Sequence, residues 1–418
     1  MKGPIARGTI RTTFVLGLRL LVQAGTLLLV ARLLGPRNFG AFAGIAALAV
    51  MLGTLSTFGM HLILLGEMSR DPARREHVMS YAVPVTLACG TALLAIYLAI
   101  CLVGLREAAV PLHVLLVIGV TETLLQPLFG LLVSEHIALG RVARSQLLTV
   151  LPLAMRLSIA VSILLLALAD PLTFYAYGYL AASLLALVFT TAAMTSPWPS
   201  FKSWRLPDRA ELREAFGYAA LNVTATTPAE LDKTLAIKLL PLADSGVYAA
   251  GARAIGAATL PISAMMLSAL PRLFREGQSQ PGRTAHLLRW IFAVASVYGF
   301  LLAAGLWLAA PIFAWLFGTK FHGIEYMMHW LCLAVPGMTL RMTAGSVLMA
   351  LGKPWMRVEF EVTGLLVLLI ASVALTSHFG MIGMPLALAS SEWSMTAIGC
   401  LLLYVTVRSN RVIPAPLA

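Results

Sequence analysis

The feature that most constrains this chain is a series of long apolar segments that follow one another over almost its whole length. Of its 418 residues, 59% are hydrophobic and 11% are charged. A water-soluble domain of this composition would expose large apolar patches. Because a helix needs roughly 20 apolar residues to cross a hydrocarbon layer about 30 Å thick, the sequence predicts an all-α polytopic membrane protein.

Twelve of these segments are long enough to be membrane-spanning helices, six in each half of the chain. The turn between the first two contains Gly35 and Pro36, and the corresponding turn in the second half begins at Pro241. Glycine and proline at these positions predict interruptions of the helix. The expected spans are about residues 12–34, 39–65, 78–104, 110–134, 145–168, 172–194, 213–239, 246–270, 285–310, 326–351, 357–378 and 382–407.

The two halves of the chain repeat each other in sequence. The segment Ala31–Gly44 recurs in diverged form as Ile237–Gly251, and Ala138–Arg141 recurs as Ala350–Lys353 near the far end of the second half. In an apolar chain, such a duplication favours a transporter whose substrate site lies where the repeats meet.

The basic residues indicate the orientation in the membrane. With a cytoplasmic N-terminus, the predicted outer loops carry only three of them, Arg37, Arg106 and Lys320. The positive-inside rule then places both termini in the cytoplasm. The net charge of +12 is dispersed over the inner segments, which suits contact with anionic lipid headgroups and does not indicate nucleic-acid binding.

The longest predicted cytoplasmic loop joins the two halves and mixes aromatic with basic residues. Trp198, Phe201 and Trp204 alternate with Lys202 and Arg205. Aromatic rings suit the headgroup level of a bilayer, and neighbouring cations suit its phosphates. The sequence therefore predicts an interfacial linker.

Signatures of enzymatic chemistry are missing from the sequence. The eight histidines show no metal-ligand spacing, and the four cysteines fall inside predicted spans without a CxxC pair. Neither a P-loop nor a GxSxG motif is present. We therefore expect no catalytic residues, no metal site and no cofactor.

Several charged residues fall inside predicted spans. A charge at the bilayer centre is unfavourable by at least about 2.5 to 3.5 kcal/mol on insertion scales, so such residues usually face a protein interior or a wet cavity. These residues are Arg19, Glu122, Arg156, Glu230, Asp232, Lys233, Arg253, Arg341 and Glu392.

Polar residues around these charges recur at helical spacing. In the first span, Thr12, Arg19, Gln23 and Thr26 share one stripe, and the fourth, fifth and seventh spans carry similar stripes. Facing one another, the stripes would line a hydrophilic cavity. The alternative is internal pairing across helices, for instance of Glu122 with Arg19 or Arg156.

Short motifs resemble those of the Wzx-type oligosaccharide flippases, within the multidrug/oligosaccharidyl-lipid/polysaccharide (MOP) exporter superfamily. The first span ends in RLLGPRNFG at Arg32–Gly40. Leu231–Lys233 in the seventh span precedes the turn Gly246–Tyr248, and Ala350–Lys353 follows the tenth span. The helix count and the length extend the resemblance over the whole chain.

The resemblance implies a MATE-like fold with two six-helix bundles around a cationic cavity that opens alternately to the two membrane faces. It places the bundles at residues 1–195 and 213–418, with the linker at 196–212. It implies a flippase of the bacterial inner membrane that moves an undecaprenyl-diphosphate-linked oligosaccharide from the cytoplasmic to the periplasmic leaflet. Polysaccharide polymerases, glycosyltransferases and anionic lipids are the expected partners.

On this resemblance, deep basic and polar residues would hold the diphosphate, because a guanidinium fork matches phosphate oxygens. Acidic residues would be candidates for coupling transport to Na⁺ or H⁺. The expected substrate-binding residues are Arg19, Gln23, Arg156, Arg253, Arg341 and Lys233, and the ion-coupling candidates are Asp232, Glu230 and Glu122.

Other functions fit the sequence less well. A cation-coupled multidrug exporter would need an acidic cavity, against which Arg19 and Arg156 argue. A peptidoglycan-precursor flippase usually has fourteen spans. A membrane-embedded glycan polymerase or ligase usually carries a long periplasmic loop, whereas the longest outer loop here, about residues 310–326, is short. A structural subunit of a synthase complex would not need so many buried charges.

Overall fold

The computed structural model describes residues 4–106, 109–194, 197–262, 265–266 and 281–412. Every regular element in these ranges is helical, as the composition predicts. The end of the predicted eighth span, residues 267–270, and the side chain of Thr12 lie outside the described part.

The chain divides into two compact units, Met1–Thr226 (unit 1) and Thr227–Ala418 (unit 2). This division falls inside one helix, α8, which begins at Arg209, within the predicted linker 196–212. Seven helices precede it: α1 Pro4–Ser56, α2 Met60–Arg70, α3 Arg75–Gly104, α4 Leu112–Val120, α5 Gln126–Ala138, α6 Val142–Leu165 and α7 Pro171–Ala192.

The remaining helices belong to the second half of the chain. They are α8 Arg209–Leu239, α9 Leu242–Ala258, α10 Pro281–Leu308, α11 Ala310–Phe317, α12 Ile324–Leu331, α13 Val335–Ala350, α14 Pro354–Phe379 and α15 Gly383–Val412.

Both predicted helix interruptions are present. Inside α1, Gly35 has φ 70° and ψ 170°, a backbone conformation that side chains with a Cβ rarely adopt. In the second half, α8 ends at Leu239 and α9 begins at Leu242, immediately after Pro241. Local backbone chemistry therefore sets the first turn of each repeat.

Among the described residues, eight helical segments are long and apolar enough to cross a membrane. Two of them, Gly17–Ser56 and Pro354–Thr406, each cover most of two predicted spans. The predicted seventh and eighth spans, α8 and α9, are not among the eight. The α8 helix is too polar, since it carries residues such as Glu230 and Asp232, and α9 has only 17 residues.

The core of unit 1 joins α2, α3 and α5, with Met60, Met79 and Leu131 among its fully buried side chains. Trp198 and Trp204 of the linker pack against this core. The indole of Trp198 donates a hydrogen bond to Thr191 Oγ1 at 3.1 Å. These two rings cover apolar surface of the protein, and their position at the headgroup level of a membrane stays a prediction.

The core of unit 2 joins α10, α13, α14 and α15 through side chains such as Leu348, Phe360 and Met395. The close packing of α14 on α15 depends on Gly364, where an added Cβ would overlap the side chain of Met395. Ser391 of α15 also donates to the carbonyl of Gly364 at 2.7 Å. These contacts fix the register of the two helices that carry Glu361 and Glu392.

Candidate functional site

In unit 1, the first deep arginine is held by a neutral partner. Arg19 of α1 donates from Nη1 to Gln146 Oε1 of α6 at 3.3 Å. Among the described residues, no carboxylate oxygen lies within 4.0 Å of its guanidinium nitrogens. Gln23, one turn further along the helix, is exposed. The positive charge of Arg19 is thus not balanced by a carboxylate of the residues that the structure describes.

The second deep arginine of unit 1, Arg156, is more deeply buried, with 9% exposure. Its Nη2 donates to Ser183 Oγ at 3.0 Å, and its Cζ lies 3.6 Å from the centroid of the Tyr179 ring. Its Nε is buried without a hydrogen-bond partner. Like Arg19, this guanidinium is held by groups that carry no formal charge.

Glu122 lies close by, in a π-helical turn at Thr121–Leu125 between α4 and α5. The Tyr179 hydroxyl donates a hydrogen bond to its carboxylate. The side chain of Gln126, one turn later, donates to Ser183 Oγ at 3.4 Å. Of the pairings left open by the sequence, the ion pairs of Glu122 with Arg19 and with Arg156 are not formed.

In unit 2 the deep arginine is surrounded by carboxylates. Arg341 Nε lies 2.6 Å from Glu392 Oε2, and its Nη1 lies 3.8 Å from Glu361 Oε1. Arg357 adds a further pair to Glu361 at 3.0 Å. Both glutamates have side chains only 1% exposed. The positive charge of Arg341 is therefore neutralised inside unit 2.

The buried lysine of unit 2 is also paired. Lys233 Nζ lies 3.2 Å from Asp232 Oδ1 and 3.9 Å from Glu230 Oε2, and it also donates to the carbonyl of Ala229. The hydroxyl of Tyr248 donates to Asp232 Oδ2 at 2.8 Å. Lys233, which was predicted to bind the substrate, thus forms one cluster with the predicted ion-coupling residues Asp232 and Glu230.

Arg253, the remaining predicted substrate-binding residue, is half-buried on α9.

Within the described ranges, no group of three His, Cys, Asp or Glu side chains is arranged to hold a metal ion.

The sequence analysis missed the groups that hold the charges in place. Tyr175, Tyr179 and Ser183 are spaced four residues apart on α7. The polar stripe that they form on the sixth span could therefore have been recognised from the sequence. Arg357 and Glu361 have the same spacing on α14, and they form an ion pair of the kind expected on one helix face. The pairing of Glu361 with Arg341 could not be recognised from the sequence, because Arg341 is on a different helix.

Another charged cluster lies outside the membrane-spanning segments, where the linker meets α8. Arg205 donates to both carboxylate oxygens of Glu211, at 2.5 and 2.9 Å, and its guanidinium lies 4.4 Å from the Tyr81 ring centroid. The hydrogen bond from Arg205 lowers the pKa of Glu211, and the same bond raises the pKa of Arg205. The contact of Arg205 with the Tyr81 ring of α3 attaches the linker to the core of unit 1.

Comparison with known proteins identifies the sequence family and the fold. The profile of the family described as polysaccharide biosynthesis protein matches residues 5–276. No curated protein matches the sequence.

Solved structures with the same fold belong to the MOP superfamily. An inward-facing multidrug resistance MATE transporter superposes with a TM-score of 0.78 at 14% identity, covering 95% of this chain and 96% of that one. An outward-facing multidrug resistance MATE transporter gives 0.66 at 15%, covering 97% and 96%. A MOP transporter from Pyrococcus furiosus, described as having a binding pocket of reversed polarity, gives 0.68 at 15%, covering 98% and 96%.

Proposed function

We propose that this chain, which belongs to the polysaccharide biosynthesis protein family, moves a lipid-linked oligosaccharide across a membrane by alternating access. The family and the fold support a multi-pass transporter of the MOP type. The proposed cargo is an oligosaccharide on undecaprenyl diphosphate, carried from the cytoplasmic to the periplasmic leaflet of a bacterial inner membrane. We place both termini in the cytoplasm, on the distribution of Lys and Arg.

The observation that carries this proposal is the environment of the two deep arginines of unit 1. Arg19 is bonded to a carboxamide, and Arg156 to a hydroxyl and an aromatic ring. A buried charge without a counter-ion is unfavourable, and an anionic ligand would relieve that cost. A guanidinium presents a fork that matches phosphate oxygens. The diphosphate of a lipid carrier is an anion of this kind.

The same observation argues against a cationic cargo. A positively charged drug would be repelled by Arg19 and Arg156, since no carboxylate in the described part of the chain forms an ion pair with either of them. Two buried carboxylates of unit 2 are already engaged by cations of the protein, Glu392 by Arg341 and Asp232 by Lys233. Any coupling of transport to Na⁺ or H⁺ through Asp232, Glu230 or Glu122 would require these contacts to open.

Transport of the proposed cargo does not depend on a coupling ion for its driving force. Moving one charge through a potential of 100 mV changes the free energy by about 2.3 kcal/mol. Moving about two negative charges outward across a membrane with an inside-negative potential of that size is therefore favourable by roughly 4 to 5 kcal/mol.

The proposal is tested with the full-length protein in proteoliposomes that contain a purified undecaprenyl-diphosphate-linked oligosaccharide. We expect the wild type to expose glycan on the opposite leaflet, as measured by a membrane-impermeant glycosidase. Arg19→Ala should slow this transfer. Arg37→Ala, which removes an exposed arginine from the same helix, is the matched control. Export of a cationic dye without any transfer of the glycan would contradict the proposal.

A deletion strain provides the cellular counterpart. Loss of the protein should leave the lipid-linked glycan in the cytoplasmic leaflet and reduce surface polysaccharide. Unchanged surface glycan in that strain would also reject the proposal. Accumulation of unpolymerised glycan on the periplasmic side would indicate a polymerase instead.

A further inference from the structure

We infer that a cavity between α11 and α12 of unit 2 is a saccharide site that binds sugar residues of the cargo. The inference rests on the proposed function, because it concerns the glycan of the same lipid-linked oligosaccharide. The residues that form this site are different from the deep arginines proposed to hold the diphosphate.

The cavity lies at the predicted outer loop between the ninth and tenth spans, and we call it the outer cavity. Its volume is about 610 Å³, which falls within the range of roughly 300 to 1,000 Å³ typical of small-molecule sites. Its wall combines aromatic and polar side chains. These are Trp315, Thr319, His322, Glu325, Tyr326 and His329.

The loop that contributes to the outer cavity has a fixed shape. Gly318 has φ 83° and Gly323 has φ 82°, in the left-handed region that favours glycine. The side chains of Phe317 and Phe321 are buried beside this loop, with their ring centroids 5.4 Å apart. Because the turn is set before a ligand arrives, little conformational freedom is lost on binding.

Exposed aromatic rings line the outer cavity. Trp315 is 76% exposed and Tyr326 is 47% exposed. The ring of His329 stacks on Trp307 of α10, with centroids 4.3 Å apart and planes at 27°, so its orientation is fixed. The face of an aromatic ring carries partial negative charge, and the C–H groups of a sugar ring carry partial positive charge. Accessible aromatic walls therefore suit the apolar faces of sugars.

Polar groups of the same cavity match the hydroxyl groups of a sugar. Thr319, His322 and Glu325 are all exposed. The carboxylate of Glu325 accepts hydrogen bonds, the hydroxyl of Thr319 donates and accepts, and the neutral imidazole of His322 has one nitrogen of each kind. A polyhydroxylated ligand can use all three.

Other ligand classes fit the outer cavity less well. The carboxylate of Glu325 would repel a diphosphate, and no cation of the described residues forms an ion pair with it. An isoprenoid chain would cover the polar groups of the wall without offering them hydrogen bonds, which is unfavourable. In the part of the chain that the structure describes, no His, Cys, Asp or Glu cluster has the arrangement of a metal site. A neutral sugar uses both the rings and the polar groups.

The corresponding loop of unit 1 is built differently. There α3 ends at Gly104 and α4 begins at Leu112, whereas the additional helix α11 separates α10 from α12 in unit 2. A cavity at the unit 1 loop is lined by residues such as Leu105 and Val110, and none of its described lining residues is aromatic. The aromatic wall is therefore specific to the second half and does not follow from the repeat.

Apolar surface beside the outer cavity suits contact with lipid. Leu308 is 80% exposed and Ile312, on α11, is 58% exposed. A cargo whose isoprenoid chain lies in the hydrocarbon would present its first sugars just outside that layer. The outer cavity would hold those sugars once the cargo has reached the outer leaflet.

The test uses the full-length protein in nanodiscs. The probe is the free oligosaccharide released by mild acid from the lipid-linked oligosaccharide of the transfer assay, so that it carries neither lipid nor diphosphate. Saturation-transfer difference NMR measures its contact with the protein. We expect the wild type to saturate sugar ring protons, and inorganic diphosphate should not displace the sugar.

Two variants examine the two kinds of wall. Tyr326→Ala should weaken binding of the oligosaccharide at least about fivefold, because it removes an aromatic face. Glu325→Gln should weaken it at least about threefold, because a neutral acceptor makes weaker hydrogen bonds than a carboxylate. The matched control is Trp355→Ala, which removes an exposed tryptophan of unit 2 outside the wall of the cavity and should bind as the wild type does.

Several results would overturn the inference. These are the absence of saturation transfer in the wild type, unchanged binding in either cavity variant, and displacement of the sugar by inorganic diphosphate. If Tyr326→Ala does not fold, as judged by thermal melting, Glu325→Gln still decides, because it changes only an exposed polar group.

The transfer assay separates this inference from the proposed function. A wild type that transfers the lipid-linked oligosaccharide without binding the free glycan would reject the inference and leave the proposed function standing. A wild type that binds the free glycan, with both cavity variants weakened, but transfers no lipid-linked oligosaccharide would support the saccharide site and reject the proposed function.

Discussion

The deep arginines of the two units of this internally repeated chain are held in opposite ways. In unit 1, Arg19 and Arg156 are held by a carboxamide, a hydroxyl and an aromatic ring. In unit 2, Arg341 is held by Glu392 and Glu361. The first arrangement leaves positive charge available to a ligand, and the second uses charge to join helices.

One pair of aligned positions illustrates this divergence. Phe42 of the first repeat corresponds to Tyr248 of the second in the sequence alignment of the halves. Phe42 packs on the rings of Tyr175 and Tyr179, whereas the hydroxyl of Tyr248 donates to buried Asp232. A single hydroxyl therefore distinguishes an apolar support in unit 1 from a polar network in unit 2.

The largest effect expected from this comparison is on the stability of unit 2. Arg341→Ala would leave Glu392 buried without its closest cation, and breaking a buried pair in this way costs about 3 to 5 kcal/mol. Thermal melting of the purified protein should show a large fall. Replacing Arg341 and Glu392 together by Met should recover much of the loss. A stable Arg341→Ala protein that cannot transport would instead place Arg341 in the substrate site.

The corresponding substitution in unit 1 should affect transport more than stability. Arg19→Ala removes a guanidinium whose partner is the neutral Gln146, so melting should change little. If Arg19 makes a charge-assisted hydrogen bond to the cargo, its loss is worth about 2 kcal/mol, or roughly 30-fold in transfer rate. Equal transfer by Arg19→Ala and Arg37→Ala would remove Arg19 from the proposed site.

A smaller loss of stability is expected from Tyr248→Phe. This change removes the hydrogen bond to the buried carboxylate of Asp232 and should destabilise unit 2 by about 1.5 kcal/mol. Phe42→Tyr is the reciprocal change in unit 1, and it should not stabilise that unit, because Phe42 lies among aromatic rings. Similar melting of Tyr248→Phe and the wild type would mean that the hydroxyl does not support the network.

The smallest effect concerns the attachment of the linker at low pH. The pKa of Glu211 is lowered in the folded protein, chiefly by its hydrogen bond from Arg205. The stabilisation that the ionised Glu211 carboxylate gives to the folded protein is therefore present at neutral pH. It is lost as the pH falls below the ordinary glutamate range toward the lowered pKa. We expect this stabilisation to be less than about 1 kcal/mol, as for other accessible ion pairs.

This effect is measured by acrylamide quenching of the linker tryptophans between pH 7 and pH 3. The wild type should become more accessible to the quencher at the acid end, and Glu211→Gln should be more accessible at neutral pH and lose much of the pH dependence. Identical pH profiles for the two proteins would show that this carboxylate does not hold the linker.

The linker also shows where hydrophobicity in a sequence is ambiguous. Trp198, Phe201 and Trp204 fit a membrane surface equally well as rings at the headgroup level or as rings on a protein core. In the structure, Phe201 is 80% exposed, whereas both tryptophans pack against unit 1. Composition identifies apolar side chains, but it does not identify the surface they cover.

The sequence by itself determined the helical class, the succession of membrane spans and the turns at Gly35 and Pro241, because segment hydrophobicity and backbone preference are properties of neighbouring residues. It also identified Glu122, Arg156, Arg341 and Glu392 as charges in unfavourable positions. Only the tertiary structure decided that Arg341 is paired while Arg156 is not. The partners of a buried charge come from other helices, and the distances between helices depend on packing that no local pattern encodes.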